Sequence, residues 1–206
     1  MPEPNPDRND DDTAWVIIPT RFGVEELSAF CRELPRILRI NSQWEFASWQ
    51  PVGSDHYRFR ILNLSNGLQW ETELRVETTP DGCRLRYADG LKCATTFRVE
   101  PDAGGETKLV IEDDYSCVPE AERNARLGEV DTSLPRWGED LYRYLRLWKR
   151  WSWLPPWRWY MRRVWEPMKP SARRITNMIV FITLMEFVVF VMFMGFFMLD
   201  LDAVLY

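Results

Sequence analysis

The chain has 206 residues and a formal net charge of −5. Its four cysteines form no CxxC and it has a single histidine, His56, which excludes a zinc-ligand cluster and a Cys/His nucleophile pair. The charge is uneven: residues 148–174 hold eight Lys/Arg against one acid, residues 175–206 hold three acids, and residues 1–147 are left with −9. So acidic a globular portion excludes a nucleic-acid footprint.

In chain order, Met1 to Thr13 (MPEPNPDRNDDDT) reads as a disordered acidic tail, with too little apolar surface to fold. Residues 14–150 then make one domain, long enough to bury about two thirds of its unfolded surface. Trp15 to Ile18 is a short strand closed by Pro19. Val24, Leu27, Phe30, Cys31 and Leu34 recur at helical spacing, and Glu25 and Glu26 suit a helix N-terminus. Pro35 breaks that helix, and a second short one follows over Arg36 to Ile40.

From Trp44 the hydrophobic period changes to two. Six strands are expected, over 44–50, 57–64, 68–77, 83–88, 92–100 and 107–116. Asn66-Gly67 is a two-residue hairpin signal that sets Asn63 opposite Trp70, Ile61 opposite Thr72, Phe59 opposite Leu74 and Tyr57 opposite Val76. Pro80-Asp81-Gly82 brings Val76 opposite Cys83. Asp89-Gly90-Leu91 reads as a three-residue loop, with Leu85 opposite Thr95 and Cys83 opposite Phe97. One face of this meander is dry and the other is charged. The cover for the dry face is the amphipathic run from Ser133, with Leu134, Trp137, Leu141, Tyr144 or Leu145, and Trp148 on its apolar stripe. Glu120 to Asp131 is a polar lead-in to that helix.

Residues 151–174 are rich in Trp and Arg. Trp153, Trp157, Trp159 and Trp165 lie among Arg158, Arg162 and Arg163, a composition suited to the headgroup zone and to anionic lipid, at about 1 kcal/mol per cation. A short interfacial helix is expected over Trp157 to Trp165; the alternative is that these rings pack on the chain's own domain. Next comes MIVFITLMEFVVFVMFMGFFML, Met178 to Leu199, with no Lys, Arg, Asp or Pro. At about 1.5 Å per residue it spans a bilayer core of about 30 Å. Its 14 Leu, Ile, Val and Phe residues favour insertion by about 6 kcal/mol, against roughly 3 for Glu186. One transmembrane helix is therefore expected over 175–199, with a short tail, 200–206, beyond it. The basic flank places the domain on the cytoplasmic side and the tail on the other, as in a tail-anchored protein without a signal peptide. On that side the cysteines are expected to be free thiols. Glu186 is a candidate contact for a partner helix in a membrane complex.

The order of one strand, two short helices, six antiparallel strands and one long helix resembles the START-like or SRPBCC superfamily, the polyketide cyclase/dehydrase and lipid-transport group. The residues VEELSAFCRELPRILRINSQWEF, LKCATTFRVEP…TKLVIEDDYS and LPRWGEDLYRYL carry the resemblance, over about Ala14 to Arg150. It implies an α+β helix-grip fold, in which a curved seven-stranded antiparallel sheet wraps a long C-terminal helix, here followed by one transmembrane helix. It also implies a hydrophobic ligand held between sheet and helix.

The expected ligand-binding residues are Trp44, Tyr57, Phe59, Asn63, Trp70, Thr72, Thr95, Phe97, Asp113, Tyr115, Trp137 and Leu141. Asn63, Thr72, Thr95 and Asp113 are polar positions on an otherwise apolar face, the pattern of a small-molecule site. A buried Asp113 would have a raised pKa and could orient a ligand hydroxyl. No catalytic residue, metal site or cofactor is read from the sequence. Three functions are compatible with it: binding or transfer of a lipid, isoprenoid or quinone at the membrane; a non-catalytic accessory or assembly subunit of a membrane complex; and a cyclase/dehydrase-like enzyme.

Overall fold

The computed structural model describes residues 12–102 and 106–205, with side chains as far as Phe197. The tail expected over 1–13 lies outside the described residues except for Asp12 and Thr13. Two compact units divide the chain, one ending at Pro167 and one beginning at Met168.

The first unit is α+β. Strand β1 (Thr13–Thr20) leads into helices α1 (Val24–Arg32) and α2 (Leu34–Ile40). Strands β2 (Trp44–Pro51), β3 (His56–Asn63), β4 (Leu68–Thr79), β5 (Gly82–Tyr87), β6 (Ala94–Pro101) and β7 (Thr107–Asp114) follow. Then come α3 (Glu120–Ala125), the long helix α4 (Leu134–Trp151) and α5 (Pro155–Tyr160). The seven strands form one antiparallel sheet in the order β1-β7-β6-β5-β4-β3-β2. Strand β1 is longer than expected. It runs through Pro19 because it is an edge strand, where a missing N–H costs no ladder bond.

Two registers differ from the sequence reading. Strand β3 pairs with β4 as Asn63↔Leu68, Ile61↔Trp70, Phe59↔Thr72 and Tyr57↔Leu74. The connection is a four-residue loop, because the Asn63 side chain accepts the Ser65 N–H at 3.0 Å and the Asn63 carbonyl accepts the Gly67 N–H at 2.7 Å. Strand β4 meets β5 as Thr78↔Cys83 and Val76↔Leu85, so the turn is Pro80-Asp81 alone. Both shifts are by two residues and therefore keep every side chain on its expected face. The β5–β6 register, Cys83↔Phe97 and Leu85↔Thr95, is the expected one. A bulge between Phe46 and Ser48 breaks the alternation of β2 and adds Trp49 to the dry face, where it stacks on Phe59 at 5.8 Å.

Helix α4 covers the dry face through Leu134, Trp137, Leu141, Tyr144 and Leu145, all buried. Trp137 stacks on Trp44 of edge strand β2 at 5.8 Å, while a Cβ on the next residue, Gly138, would meet Val16 of the opposite edge strand at 2.7 Å. In a flat sheet those edges would stand about 29 Å apart, six strand spacings. The sheet is therefore curled around α4, and glycine at 138 is what lets the helix approach β1 so closely.

The cysteine expectation is corrected in part. Cys31 and Cys83 are free and buried, but Cys93 and Cys117 form a disulfide, with Cα atoms 6.0 Å apart. The sheet register causes this: Ala94↔Asp114 is the last β6–β7 pair, so the residues just outside it meet at one end of the ladder. Burial pushes the Cys83 thiol up to about 11, and Cys31 rises further for the same reason.

The second unit contains α6 (Pro170–Leu205). Within Pro170–Phe197 an 18-residue window reaches a mean hydropathy of 2.5, and the stretch is long and apolar enough to cross a membrane. Glu186 lies within that stretch.

Candidate functional site

Two clusters of buried polar side chains lie along α4, one near each end. The first is centred on Lys92, in the loop between β5 and β6. Its Nζ lies 2.6 Å from Asp113 Oδ2 on β7 and 2.6 Å from Asp131 Oδ2 just before α4, and all three side chains are buried. The Thr95 hydroxyl donates to Asp113 Oδ1 at 2.6 Å and sits 3.0 Å from the Tyr87 hydroxyl. Asp131 Oδ1 accepts from the Asn63 amide at 2.9 Å and from the Ser133 N–H at 3.0 Å. The Tyr115 hydroxyl donates to the Asp131 carbonyl at 3.3 Å. Lys92 also lies 5.3 Å from the Trp44 ring centroid.

Burial raises the Asp113 carboxyl above its ordinary range, with Lys92 and Thr95 opposing that rise. Asp131 is also raised by burial, but the Lys92 ammonium and the Ser133 and Asn63 donors outweigh this and hold it well below the carboxylate range. Burial alone would lower Lys92; its two carboxylates hold it well above the usual lysine value. Lys92 is thus a locked cation and not a nucleophile.

The second cluster is centred on Arg36 of α2. Its Nε donates to Tyr144 Oη at 2.9 Å and to Glu166 Oε1 at 3.1 Å, and its Nη1 donates to Glu33 at 2.8 Å. Tyr144 donates to Glu166 at 2.6 Å. The guanidinium lies 4.0 Å from the Trp148 ring centroid. Trp157 and Trp165, expected at the membrane interface, pack beside this cluster, on Trp148 at 5.5 Å and Tyr144 at 5.8 Å. Trp153, Trp159, Arg158, Arg162 and Arg163 are exposed. The expected single helix over Trp157 to Trp165 is instead α5 followed by a wider turn over Met161–Trp165, closed by the Glu166 N–H on the Met161 carbonyl at 2.9 Å.

Seven antiparallel strands curled about a C-terminal helix, with two short helices after the first strand, complete the picture. The fold is an α+β helix grip. Solved structures with likeness to the chain include a START superfamily protein from Mycobacterium smegmatis, 11% identical, covering 66% of this chain and 98% of its own, with a TM-score of 0.49. A Deinococcus radiodurans protein is 16% identical over 65% of this chain and 95% of its own, with a TM-score of 0.47. A conserved protein from Geobacillus kaustophilus is 12% identical over 66% and 95%, with a TM-score of 0.45. No protein-family model matches the chain, and no curated protein sequence does.

Within this interior most of the expected ligand residues are packed against one another. Phe59, Phe97, Trp137 and Leu141 are fully buried, and Trp44 stacks on Phe59 and Trp137 and meets Trp70 edge-on. Tyr57 packs on Trp49 at 5.0 Å. The expected polar positions Asn63, Thr72, Thr95 and Asp113 are all buried. Three of them join the Lys92 cluster; Thr72 instead accepts the Asp89 N–H at 3.1 Å and serves the β5–β6 loop.

Open space remains beside Lys92. A pocket of about 90 Å³ is lined by Leu68, Trp70, Leu91, Tyr115, Lys92 and Asp131, among others. Lys92 and Asp131 were not foreseen from the sequence. Lys92 falls in the strand expected over 92–100, but β6 starts at Ala94 and leaves Lys92 in the loop before it; Asp131 lies in a connection, where strand alternation says nothing about direction. The available signal was Asp113 itself, since an inward carboxylate needs a cation within reach.

Proposed function

We propose that the protein is a membrane-anchored START-like domain that binds a hydrophobic or amphipathic small molecule at the pocket beside Lys92. One observation carries this reading: an opening where the apolar wall of Leu68, Trp70 and Leu91 meets a fixed polar group, Lys92–Asp131, at one end of the gripped helix. Such convergence of apolar surface and a few oriented polar atoms suits small-molecule recognition. At about 90 Å³ the pocket takes one end of a ligand. Trp70, held by a bond from its Nε1 to the Asp89 carbonyl at 3.1 Å, separates it from the aromatic interior. Displacing that ring would extend the pocket toward Trp44 and Tyr87, its neighbours at 6.0 and 4.9 Å. In this reading α6 anchors the domain, and a lipid, isoprenoid or quinone is the ligand class.

Native mass spectrometry of the full chain in mild detergent, with extraction and identification of lipids, tests this. About one hydrophobic molecule per chain, lost in a Leu91→Trp variant that fills the pocket, is expected. A chain that carries nothing above background, in the wild type and after incubation with membrane extract, overturns it.

A second reading is supported by the packed interior itself. If the aromatic core stays closed, the domain serves as an accessory or assembly subunit, with Glu186 of α6 facing a partner helix. Glu186→Leu should then abolish co-purification of that partner, and unchanged co-purification rejects the contact. A cyclase-like activity has the least support, because Asp113 is engaged by Lys92 and Thr95 and offers no free base. On orientation, the basic flank of α6 favours a cytoplasmic domain, whereas a disulfide suits an oxidising side. Our reading is the cytoplasmic one. It expects protease to digest the domain in inside-out vesicles and to spare it in right-side-out ones.

A further inference from the structure

A larger open space than the pocket beside Lys92 lies along the C-terminal half of α4. It is a groove of about 660 Å³ between α4 and the turn that joins β1 to α1. Four cations line it: Arg21 from the turn, and Arg146, Lys149 and Arg150 from α4. Among the described lining residues Glu106 is the one acid. Residues 1–147, which supply Arg21 and Arg146, carry a net −9, so this concentration of positive charge runs against its surroundings.

The cations are only partly neutralised. Lys149 lies 3.2 Å from Glu26, and Arg21 reaches Glu106 at 3.9 Å with its side chain 86% exposed. Arg150 lies 5.4 Å from the Trp151 ring centroid. Arg146 makes no hydrogen bond or ion pair among the described residues. Arg146 stands three and four residues before Lys149 and Arg150, spacings at which like charges on a helix repel. Lys149 and Arg150 lie in the last turn, where cations complement the helix dipole. That ordinary role does not extend to Arg146 or to Arg21 on another element. A bound anion would relieve the repulsion at all four. The groove is also not purely polar: Phe22 and Leu145 form a buried apolar floor and Tyr142 is 42% exposed at its side.

We infer that this groove binds a phosphate-bearing anionic group, with Arg21 and Arg146 as its guanidinium contacts and an attached apolar portion lying on Tyr142 and Leu145. Guanidinium groups suit phosphate because their donors match its oxygens in pairs. The volume is in the range of small-molecule sites, about 300–1,000 Å³, and far above what a lone phosphate needs. The phosphate has two sources, a lipid headgroup or a soluble phosphorylated compound. The site is separate from the pocket beside Lys92 and stands whether or not that pocket takes a ligand.

The test is native mass spectrometry of the full chain in an uncharged detergent, titrated separately with phosphatidic acid, phosphatidylcholine and glycerol 3-phosphate. The wild type should hold phosphatidic acid in preference to phosphatidylcholine. The double variant Arg21→Gln/Arg146→Gln should weaken it about tenfold, equal to about 1.4 kcal/mol. Arg143→Gln, on the same helix but paired with Glu139, controls for general charge and should leave binding unchanged. Leu91→Trp should also leave it unchanged. The changes at Arg21, Arg143 and Arg146 are surface changes, so their unfolding midpoints should hold. If glycerol 3-phosphate binds as tightly as phosphatidic acid, with the same dependence on Arg21 and Arg146, the groove is upheld and its source is soluble. Equal affinity for phosphatidic acid and phosphatidylcholine without glycerol 3-phosphate binding overturns the inference, as does an equal loss in Arg143→Gln.

Discussion

Lys92 and Arg36 are two buried cations in one domain, and they are neutralised in different ways. Lys92 is a point charge between two carboxylates on different connections and strands. Arg36 is a planar fork that shares Glu166 with Tyr144, reaches Glu33, and lies against Trp148. The contrast follows from the two side chains. An ammonium needs full charge compensation when desolvated, whereas a guanidinium is more weakly hydrated and stacks on rings. The Lys92 cluster should therefore be brittle, and the Arg36 cluster more tolerant.

The largest effect should come from Lys92→Met, which leaves two buried carboxylates facing each other. A loss of about 3–5 kcal/mol in urea unfolding is expected. A loss under about 1 kcal/mol would show that water already reaches the cluster. Adding Asp113→Asn and Asp131→Asn to that variant should recover most of the stability, because a buried ion group replaced as a whole can be nearly neutral. If the triple variant is worse still, the network is held by its shape and not by charge balance.

Arg36→Met should cost less, about 2–3 kcal/mol, the range for hydrogen bonds to charged groups. Arg36→Lys keeps the charge but loses the fork and the stack, and about 1 kcal/mol is expected. Equal losses in the two variants would remove the distinction drawn here.

The smallest effect is in pH dependence. Asp131 is held below its unfolded value, so its contribution is full above about pH 4, the unfolded aspartate range, and fades as pH falls through the folded value. The stability gap between wild type and Asp131→Asn should therefore narrow on acidification below about pH 4. Burial raises Tyr144 strongly, with Glu166 adding to the rise and Arg36 opposing it, so its hydroxyl stays protonated well past the usual tyrosine range. The gap between wild type and Arg36→Met should accordingly hold flat from neutral pH through pH 10, the ordinary tyrosine value. Chemical unfolding across a pH series measures both.

The element order, the dry and charged faces of the sheet, the apolar stripe of α4 and the apolar run in α6 all follow from local periodicity. Periods of two and 3.6 decide which face is buried, whatever lies opposite. That is why two register errors, each of two residues, left every inward residue of β3, β4 and β5 on its expected side. Asn63, Thr95 and Asp113 were legible as polar groups facing inward for the same reason.

Direction in loops, and contact between distant segments, carry no such period. Lys92 and Asp131 sit in connections and meet only because the sheet curls around α4. Cys93 and Cys117 meet because a ladder ends between them. Arg21 and Arg146 are separated by most of the domain and come to line one groove only when β1 packs against the gripped helix. Sequence alone determined which side chains of the regular strands and of α4 face inward, the β2 bulge excepted; closure of the sheet decided which of them meet, because closure is set by the summed packing of seven strands on one helix and is not encoded in any single stretch.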